Sequence, residues 1–414
     1  MLSLLFVIIG LILIGIQTKR ENSLINLITL FVGPYVVIVL INNLFAYKAG
    51  FYIISSNVLL MLMSTFFFFT IGTYIATPTM MPRIEEADND FRVEQYRMNG
   101  MINVLLIIGV IGIFKLLLTI RAGSFSSSGF ESSEGLMGLG IVGHALLLSY
   151  SISPIVFLYW IDHKKNLKAL VSIILIAVVT FSSFIKYNIL GFVVSLFIFV
   201  TIYKKSIARK GLIILIGSVA GIFVLNYFLG FILRGISVQS SFYTNQFWDY
   251  TAGSVIYDNY IFRIDLEGSG NSLFYRLGTF IFALPNMFLN RFFGFTVFPH
   301  VQKAARQVGT MYGQTSNVVD AIGYLFPKGD VFQIIIFYFL QIVFGVLFMR
   351  IYCRQMRKNR FNTFSCNFST YFVFFSFFGN FYINSAPWEI LVYSLIIPNL
   401  FLIRTNVLKG RISL

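Results

Sequence analysis

The feature that most restricts the fold of this chain is a succession of apolar runs separated by charged or polar segments. A helix crosses the hydrocarbon core of a bilayer with about 20 apolar residues. Charged residues make up only 11% of the 414 residues, whereas a soluble domain carries about 25%. The sequence therefore excludes a water-soluble domain and predicts an all-α polytopic membrane protein with about 11 transmembrane helices. The runs are residues 2–16, 24–41, 53–75, 101–120, 136–160, 169–185, 189–203, 211–233, 331–349, 368–383 and 388–403.

The chain has a net charge of +15, and its lysines and arginines are unevenly distributed among the loops between these runs. If the N-terminus lies outside, the loops on the cytoplasmic side hold 20 of the 31 lysines and arginines, and the short outer loops hold Lys48, Arg121 and Lys186. Cytoplasmic loops of membrane proteins carry such an excess of positive charge. We therefore expect an external N-terminus and a cytoplasmic C-terminus. The charge then reflects topology, and we expect no nucleic-acid partner.

One long segment, residues 234–330, separates the eighth apolar run from the ninth. It divides the chain into helices 1–8 at 1–233, a large outer loop at 234–330, and helices 9–11 with a cytoplasmic tail at 331–414. A structureless loop of this length is uncommon in a compact protein. We expect it to be ordered and partly helical, with interfacial or re-entrant helices over Phe274–Leu289, and to carry the function.

Basic residues in this outer loop predict an anionic ligand. The guanidinium group offers a planar fork of donors that suits phosphate oxygens. Arginines can also extend to lipid headgroups at helix ends, and that alternative stays open for each one. Lys186, in a short outer turn, could face the same site. The candidate ligands of a diphosphate are Arg234, Arg263, Arg276, Arg291, Arg306 and Lys186.

Acidic and aromatic residues of the loop supply candidates for further roles. His300 could accept a proton near neutral pH, and Asp258 and Asp320 are the acidic candidates for the same step. Tyr250 and Tyr257 could pack against sugar faces, although interfacial tyrosines are common in membrane proteins. The acidic pairs of the chain offer too few oxygen ligands for a hard cation. We expect no metal and no cofactor.

Two stretches of the loop carry a resemblance to a known family. Tyr250–Gly253 and Tyr257–Tyr260 are similar to a Tyr-x-x-Gly followed by aromatic and Asn residues, and Gln314–Gly323 is similar to a Thr, Asn and Asp-x-Gly pattern. The chain thus resembles the bacterial Wzy-type oligosaccharide repeat-unit polymerases, which also share its layout over the full length. An Arg followed ten residues later by Gly, found in some members, is absent from this loop.

The resemblance implies a glycosyltransferase of GT-C-like polymerase or ligase architecture in the bacterial inner membrane, with its N-terminus in the periplasm. Such an enzyme joins undecaprenyl-diphosphate-linked repeat units into O-antigen or capsular polysaccharide at the periplasmic face. It would use membrane lipid and lipid-linked glycans as partners, and the family suggests a chain-length regulator and a flippase beside it.

Other functions remain open at this point. A lipid-linked oligosaccharide flippase or other transporter would carry its polar groups mainly inside the spans, whereas this chain collects them in one outer loop. An O-antigen ligase would share the fold and the arginines and differ in its acceptor. A polyprenyl-phosphate-sugar glycosyltransferase commonly has acidic residues in its first outer loop, and this chain has none there.

Overall fold

A computed structural model of the protein shows a predominantly helical chain. The structure describes residues 1–77, 95–121, 140–182, 186–203, 221, 245, 247–249, 251–260, 272–299, 305–311, 313–316, 318–327, 330–356, 363–379 and 381–412. The longer helices are α1 (Leu2–Glu21), α2 (Leu27–Leu44), α3 (Ser56–Ala76), α4 (Gln95–Arg121), α5 (Gly140–Asp162), α6 (Leu167–Ser182) and α7 (Lys186–Tyr203). Within the long loop lie α8 (Gly253–Tyr257), α9 (Leu273–Ile281), α10 (Ala283–Phe293), β1 (Arg306–Gln307), β2 (Thr315–Ser316) and α11 (Ala321–Leu325). The chain continues through α12 (Val331–Met356), α13 (Thr363–Phe368) and α14 (Ser385–Ile412).

Six helices among the described residues are long and apolar enough to cross a membrane. They are α1, α2, α3, α5 and parts of α4 and α12, and each overlaps one of the apolar runs seen in the sequence, with ends that differ by up to five residues. In lipid, backbone groups must be satisfied within the segment, so such runs form helices. The protein is therefore an all-α, multi-pass membrane protein. The helices α6 and α7 are apolar but shorter, and the run at 211–233 lies outside the described residues apart from Gly221.

The apolar run at 368–383 is not one continuous helix. A π-helical turn at Ser369–Val373 is followed by 3-10 turns at Phe374–Phe377 and Phe381–Ile383 before α14 begins. Side chains replace the missing backbone partners, because the Ser254 hydroxyl donates to the Phe377 carbonyl at 2.5 Å and the Tyr382 hydroxyl to the Phe372 carbonyl at 2.6 Å. Non-helical backbone at membrane depth needs such compensation from surrounding protein.

The helices predicted over Phe274–Leu289 are present in the long loop. They are α9 and α10, which meet at Phe282. Pro285 lies in the first turn of α10, where the backbone N–H has no helical partner to lose. The segment therefore breaks at Phe282, between the two helices, and Pro285 is accommodated inside the second.

The described chain groups into two compact units. The first consists of Met1–Met81, Ser240–Cys353 and Tyr371–Trp388, and the second of Pro82–Gln239, Arg354–Thr370 and Glu389–Leu414. Much of the long loop therefore belongs with α1, α2 and α3. Aromatic rings fill the first unit between these helices: the Phe31 ring lies 5.4 Å from Phe66 and 4.5 Å from Phe69.

A close helix contact in the first unit joins α3 to α12. A Cβ atom at Gly72 would lie 2.1 Å from the Ile342 carbonyl oxygen, and one at Gly345 would lie 2.3 Å from the Phe69 carbonyl oxygen. Small residues allow backbones in membranes to approach in this way, where hydrophobic burial drives little association. These glycines fix α12, the helix that follows the long loop, directly against α3.

The second unit is joined by polar contacts inside the membrane helices. The Ser195 hydroxyl donates to Asn367 Oδ1 at 2.7 Å, and Asn367 Nδ2 donates to the Ser394 hydroxyl at 2.7 Å. The Tyr150 hydroxyl reaches the Thr180 hydroxyl at 3.1 Å. Interhelical hydrogen bonds of this kind stabilise membrane bundles by about 0.6–2 kcal/mol each. They connect α5, α6, α7, α13 and α14.

Candidate functional site

The two stretches of the long loop that carry the family resemblance meet in space. A Cβ atom at Gly253 would lie 3.4 Å from the Ser316 Cβ atom. A Cβ atom at Gly323 would lie 2.1 Å from Asp258 Oδ1. Residues separated by about 60 positions in the sequence are therefore in direct contact inside the first unit. We call the cluster formed by Tyr35, Asp258, Asp320 and Gly323 the carboxylate cluster.

Two carboxylates of this cluster converge on Gly323. The Gly323 N–H donates to Asp320 Oδ1 at 2.5 Å, so that Asp320 is the N-cap of α11. The Asp258 carboxylate packs against the Cα atom of the same glycine. Both aspartates are fully buried, with 0% exposure. Buried carboxylates are expensive unless neighbouring groups satisfy them, so this arrangement marks a site that the rest of the fold supports.

Tyr35 completes the cluster from α2. Its side chain is fully buried, and its hydroxyl lies within electrostatic range of Asp258 and beside the Asp320 and Ser376 side chains. Tyr35 is not among the residues selected from the sequence. The available signal was a tyrosine in the middle of an apolar helix, because a buried phenol usually needs a polar partner for its hydroxyl.

Arg306 and Tyr257 extend the site toward solvent. Arg306 is exposed at the start of β1, and its guanidinium group donates a hydrogen bond to the Tyr257 hydroxyl. Tyr257 is 5% exposed and directly precedes Asp258 in the chain. Burial raises the pKa of Tyr257, and Arg306 opposes this shift by favouring the phenolate. The Arg306 cation thus contacts Tyr257, the residue that precedes Asp258 of the carboxylate cluster.

Several hydrogen bonds attach this part of the loop to the segment between α2 and α3. Asn259 donates to the Ile53 carbonyl at 3.0 Å and accepts from the Ser55 N–H at 2.7 Å. The Tyr52 N–H donates to the Val308 carbonyl at 2.9 Å, next to β1. The two-stranded pairing of β1 with β2 holds Arg306 opposite Ser316. These bonds position the site relative to α2 and α3.

Arg276 lies in the interior of the loop. Its side chain is 3% exposed, and Nη1 donates to the carbonyls of Tyr324 at 2.8 Å and Phe326 at 2.9 Å. Carbonyls at the C-terminal end of a helix lack helical partners, and here the guanidinium group satisfies them at the end of α11. Burial lowers the pKa of Arg276. Arg291, by contrast, is exposed in the last turn of α10.

The structure therefore brings together four of the residues selected from the sequence: Asp258, Asp320, Tyr257 and Arg306. Lys186 is the first residue of α7 and belongs to the second unit, and its side chain is outside the described part. Arg276 and Arg291 lie in the loop as stated above. The remaining selected residues are outside the described chain: Arg234, Tyr250, Arg263 and His300. Roles in substrate binding or catalysis stay predictions for all of them.

Asp249 is a further titratable group of the loop. It is partly buried, its Oδ1 atom has no hydrogen-bond partner within the described residues, and burial raises its pKa to about 7. A carboxyl with this pKa can exchange protons near neutrality. The sequence does not distinguish Asp249 from the other acidic residues of the loop, because burial is decided by tertiary structure.

We expect the stability of the protein to depend on pH through Asp249. Its carboxyl binds a proton more tightly in the folded state than in the unfolded state, where the pKa is about 4. Stability should therefore fall as the pH rises from about 4 to about 7. Thermal unfolding in detergent across this range, for wild type and Asp249→Asn, checks the prediction. The variant should show a smaller decline, and equal declines would contradict the assignment.

The site combines two buried carboxylates, an exposed arginine and Tyr257 from the long loop with Tyr35 from α2. Within the described residues, no group of three or more His, Cys, Asp or Glu side chains could hold a metal ion. Comparison with protein-family models, with curated proteins and with solved structures gives no match for this chain. The chemical assignment therefore follows from the residues and their contacts.

Proposed function

We propose that this protein is a glycosyltransferase that polymerises undecaprenyl-diphosphate-linked oligosaccharide repeat units at the periplasmic face of the bacterial inner membrane. The observation that supports this proposal is the convergence of Tyr257–Tyr260 and Gln314–Gly323 at Gly323. These stretches carry the resemblance to the repeat-unit polymerases, and in the structure they form one buried cluster beside an exposed arginine. The product would be O-antigen or capsular polysaccharide.

The proposed reaction assigns a role to each kind of side chain. The bond between the donor sugar and its diphosphate breaks, and the diphosphate leaves with the electron pair while the acceptor hydroxyl forms the new glycosidic bond. Cations stabilise the departing charge, and Arg306 is exposed for this role. Arg234, Arg263 and Arg291 are the further candidates. A base accepts the acceptor proton.

The membrane arrangement is part of the same proposal. We infer about 11 transmembrane helices in a GT-C-like architecture, with the N-terminus and the long loop in the periplasm. Basic residues concentrate in the loops that this orientation places in the cytoplasm, which is the distribution expected for an inner-membrane protein. Fusion reporters at the loop between α1 and α2 and at the C-terminus test the orientation, since both should be cytoplasmic.

Replacing Arg306 with alanine should abolish or strongly shorten the polymer. In a strain lacking the gene, a plasmid with wild-type protein should restore a ladder of surface polysaccharide on a gel, and Arg306→Ala at equal membrane abundance should leave single repeat units. The effect is large because removing a donor to developing negative charge slows reactions by about 100–1,000-fold. Arg234→Ala is a companion variant for the second candidate cation.

A matched control uses another exposed cation of the first unit. Lys48→Ala removes a positive charge from the short 3-10 helix at Ala46–Ala49 and should leave the ladder unchanged.

A deletion that accumulates polymerised chains on the lipid carrier would instead indicate a ligase. Loss of every surface form, with single units trapped inside the cell, would indicate a flippase. An unchanged ladder in the deletion strain would contradict all three.

A further inference from the structure

The end of α10 exposes four phenylalanine side chains in a part of the chain that lies outside the long apolar helices. Phe292 is 73% exposed and Phe293 is 71% exposed, and Phe288 and Phe295 are each about half exposed. Phe288 and Phe292 are four residues apart on the helix and are therefore neighbours on its surface, and the rings of Phe293 and Phe295 lie 6.3 Å apart. We call these four residues the aromatic tip. A continuous apolar patch of this kind marks a surface that contacts a membrane or another protein.

The turn that follows α10 is tied back to the preceding helices. Gly294 ends α10 in the left-handed conformation, with φ 74°. Asn286 Nδ2 donates to the Phe298 carbonyl at 2.9 Å, and Asn286 Oδ1 accepts from the Val297 N–H at 2.9 Å. The Tyr275 hydroxyl donates to the Pro299 carbonyl at 2.8 Å. The aromatic tip is therefore displayed on an ordered turn whose backbone is fixed at both ends.

The same turn contains a phenylalanine that packs inward. A Cβ atom at Gly278 would lie 2.7 Å from the Phe298 ring, and this ring lies 5.1 Å from the Phe282 ring and 5.6 Å from the Tyr275 ring. The fold thus packs the ring of Phe298 against α9 and leaves the aromatic tip outside. Contact of large apolar side chains with water is unfavourable, so the tip requires an apolar environment that the rest of its unit does not supply.

The charge of the surrounding sequence indicates which environment this is. Residues 268–319 contain no aspartate or glutamate, and their basic residues are Arg276, Arg291, Lys303 and Arg306. Arg291 is exposed in the last turn of α10, directly beside Phe292. Arginines next to apolar side chains extend their charged ends to the headgroups of a membrane. A positively charged segment without carboxylates complements a membrane surface that contains anionic phospholipid.

The helices that carry the aromatic tip begin at the end of a membrane helix. The Leu273 N–H, at the start of α9, donates to Gln333 Oε1 in the first turn of α12 at 2.8 Å. Most of α12, Val331–Cys353, is long and apolar enough to cross a membrane. Because α9 is joined to the first turn of that helix, α9 and α10 extend from the level at which α12 enters the bilayer. Both helices belong to the first unit.

We propose that the aromatic tip inserts into the leaflet that meets the start of α12, and that Arg291 binds the phosphate of an anionic phospholipid beside it. The rings reach the boundary between headgroups and acyl chains, about 5–10 Å into the membrane. The insertion holds the long loop on the membrane surface. Bilayer phospholipid is sufficient for this contact, so the inference goes beyond the proposed function and does not depend on it.

The test places a spin label on the full-length protein in lipid nanodiscs, where both faces of the bilayer meet water. Phe292→Cys carries the label, and Phe293→Cys provides a second position. The native cysteines, Cys353 and Cys366, are buried, and wild-type protein treated with the same reagent gives the background to subtract. Electron paramagnetic resonance then measures collisions of the label with oxygen, which concentrates in hydrocarbon, and with a nickel chelate, which stays in water.

In nanodiscs of phosphatidylglycerol and phosphatidylcholine, both labels should collide often with oxygen and rarely with the chelate. Their depth should be about 5–10 Å below the phosphate level. Phe67→Cys, at an exposed position in the middle of α3, is the lipid reference, and Lys165→Cys, in the exposed turn between α5 and α6, is the water reference. The label at position 292 should give a ratio of oxygen to chelate collisions well above that of Lys165→Cys.

The role of Arg291 is tested in the same protein. Arg291→Gln should move the label at position 292 toward water in nanodiscs with phosphatidylglycerol and leave its depth unchanged in nanodiscs of phosphatidylcholine alone, because the arginine is attracted by anionic headgroups. Lys48→Gln is the matched control. It removes another exposed cation of the first unit and should leave the depth of the label unchanged in both lipids.

Each other outcome overturns a stated part of the inference. Chelate collisions as frequent as those of Lys165→Cys would place the aromatic tip in water. Rare collisions with both reagents would show that protein covers the tip, either a second copy of the chain or another subunit. Insertion that appears only after a polyprenyl diphosphate is added would make the tip a site for that lipid rather than for the bilayer. Equal depths for Arg291→Gln and its parent in anionic lipid would remove the role of the arginine.

Discussion

Replacing Gly323 with alanine is expected to lower the free energy of unfolding by about 1–3 kcal/mol and to abolish activity. The added Cβ atom would lie 2.1 Å from Asp258 Oδ1 and 2.4 Å from its Cγ atom. Asp258 has no exposed surface, so its carboxylate can move away only by displacing packed neighbours. Alanine is favoured over glycine in a helix by about 1 kcal/mol, and the clash should outweigh that gain.

Denaturant titration in detergent micelles measures this effect. Gly33→Ala is the matched control, because it makes the same substitution inside α2, where the nearest atom to the new Cβ is the Thr29 methyl at 4.0 Å. It should be neutral or slightly stabilising. The double variant Gly323→Ala with Asp258→Ala should be no less stable than Asp258→Ala alone, since the clashing carboxylate is then absent. A fully stable Gly323→Ala protein would contradict the described packing.

Arg276→Ala is expected to destabilise the protein by about 3 kcal/mol. The guanidinium group donates to the Tyr324 and Phe326 carbonyls at 2.8 and 2.9 Å in a site where the arginine is 3% exposed. Removing it leaves two buried acceptors without a donor, each at a cost of about 1–3 kcal/mol, and opens a cavity in the loop. The C-terminal end of α11 should loosen, and with it the capped end that bears Asp320.

The same denaturant titration measures this loss, and two variants interpret it. Arg276→Lys should recover only part of the stability, because an ammonium group on a flexible stem replaces a planar fork. Arg291→Ala removes an exposed arginine from α10 and should change stability by less than about 0.5 kcal/mol. Equal losses for Arg276→Ala and Arg291→Ala would show that burial of Arg276 contributes nothing.

The helices were largely predictable from the apolar runs. Six of them appear as long membrane helices within the described residues, because an uninterrupted apolar segment can satisfy its backbone in lipid only as a helix. The run at 368–383 deviates from this rule. Ser254 from the long loop and Tyr382 from the run itself supply hydrogen bonds to carbonyls of that segment, and hydropathy alone does not show such side-chain contacts.

The sequence predicted which types of residue the candidate site contains, but it identified only some of the individual residues. Asp258 and Asp320 were selected as acidic residues of a long loop, and the structure brings them together at Gly323. Tyr35 joins them from an apolar helix, where nothing in the local sequence indicates a carboxylate neighbour.

Amino-acid composition and hydropathy order alone established the class of this protein as all-α and multi-pass, and its basic loops predict an orientation. Those properties depend on local solvation, since each apolar run must leave water and each charge must stay near it. Tertiary structure decided which ionisable groups are buried, which are accessible and which touch. Asp320 became a buried cap, Arg276 an internal donor and Arg306 an exposed donor to a buried tyrosine, because contacts between distant segments set the environment of each group.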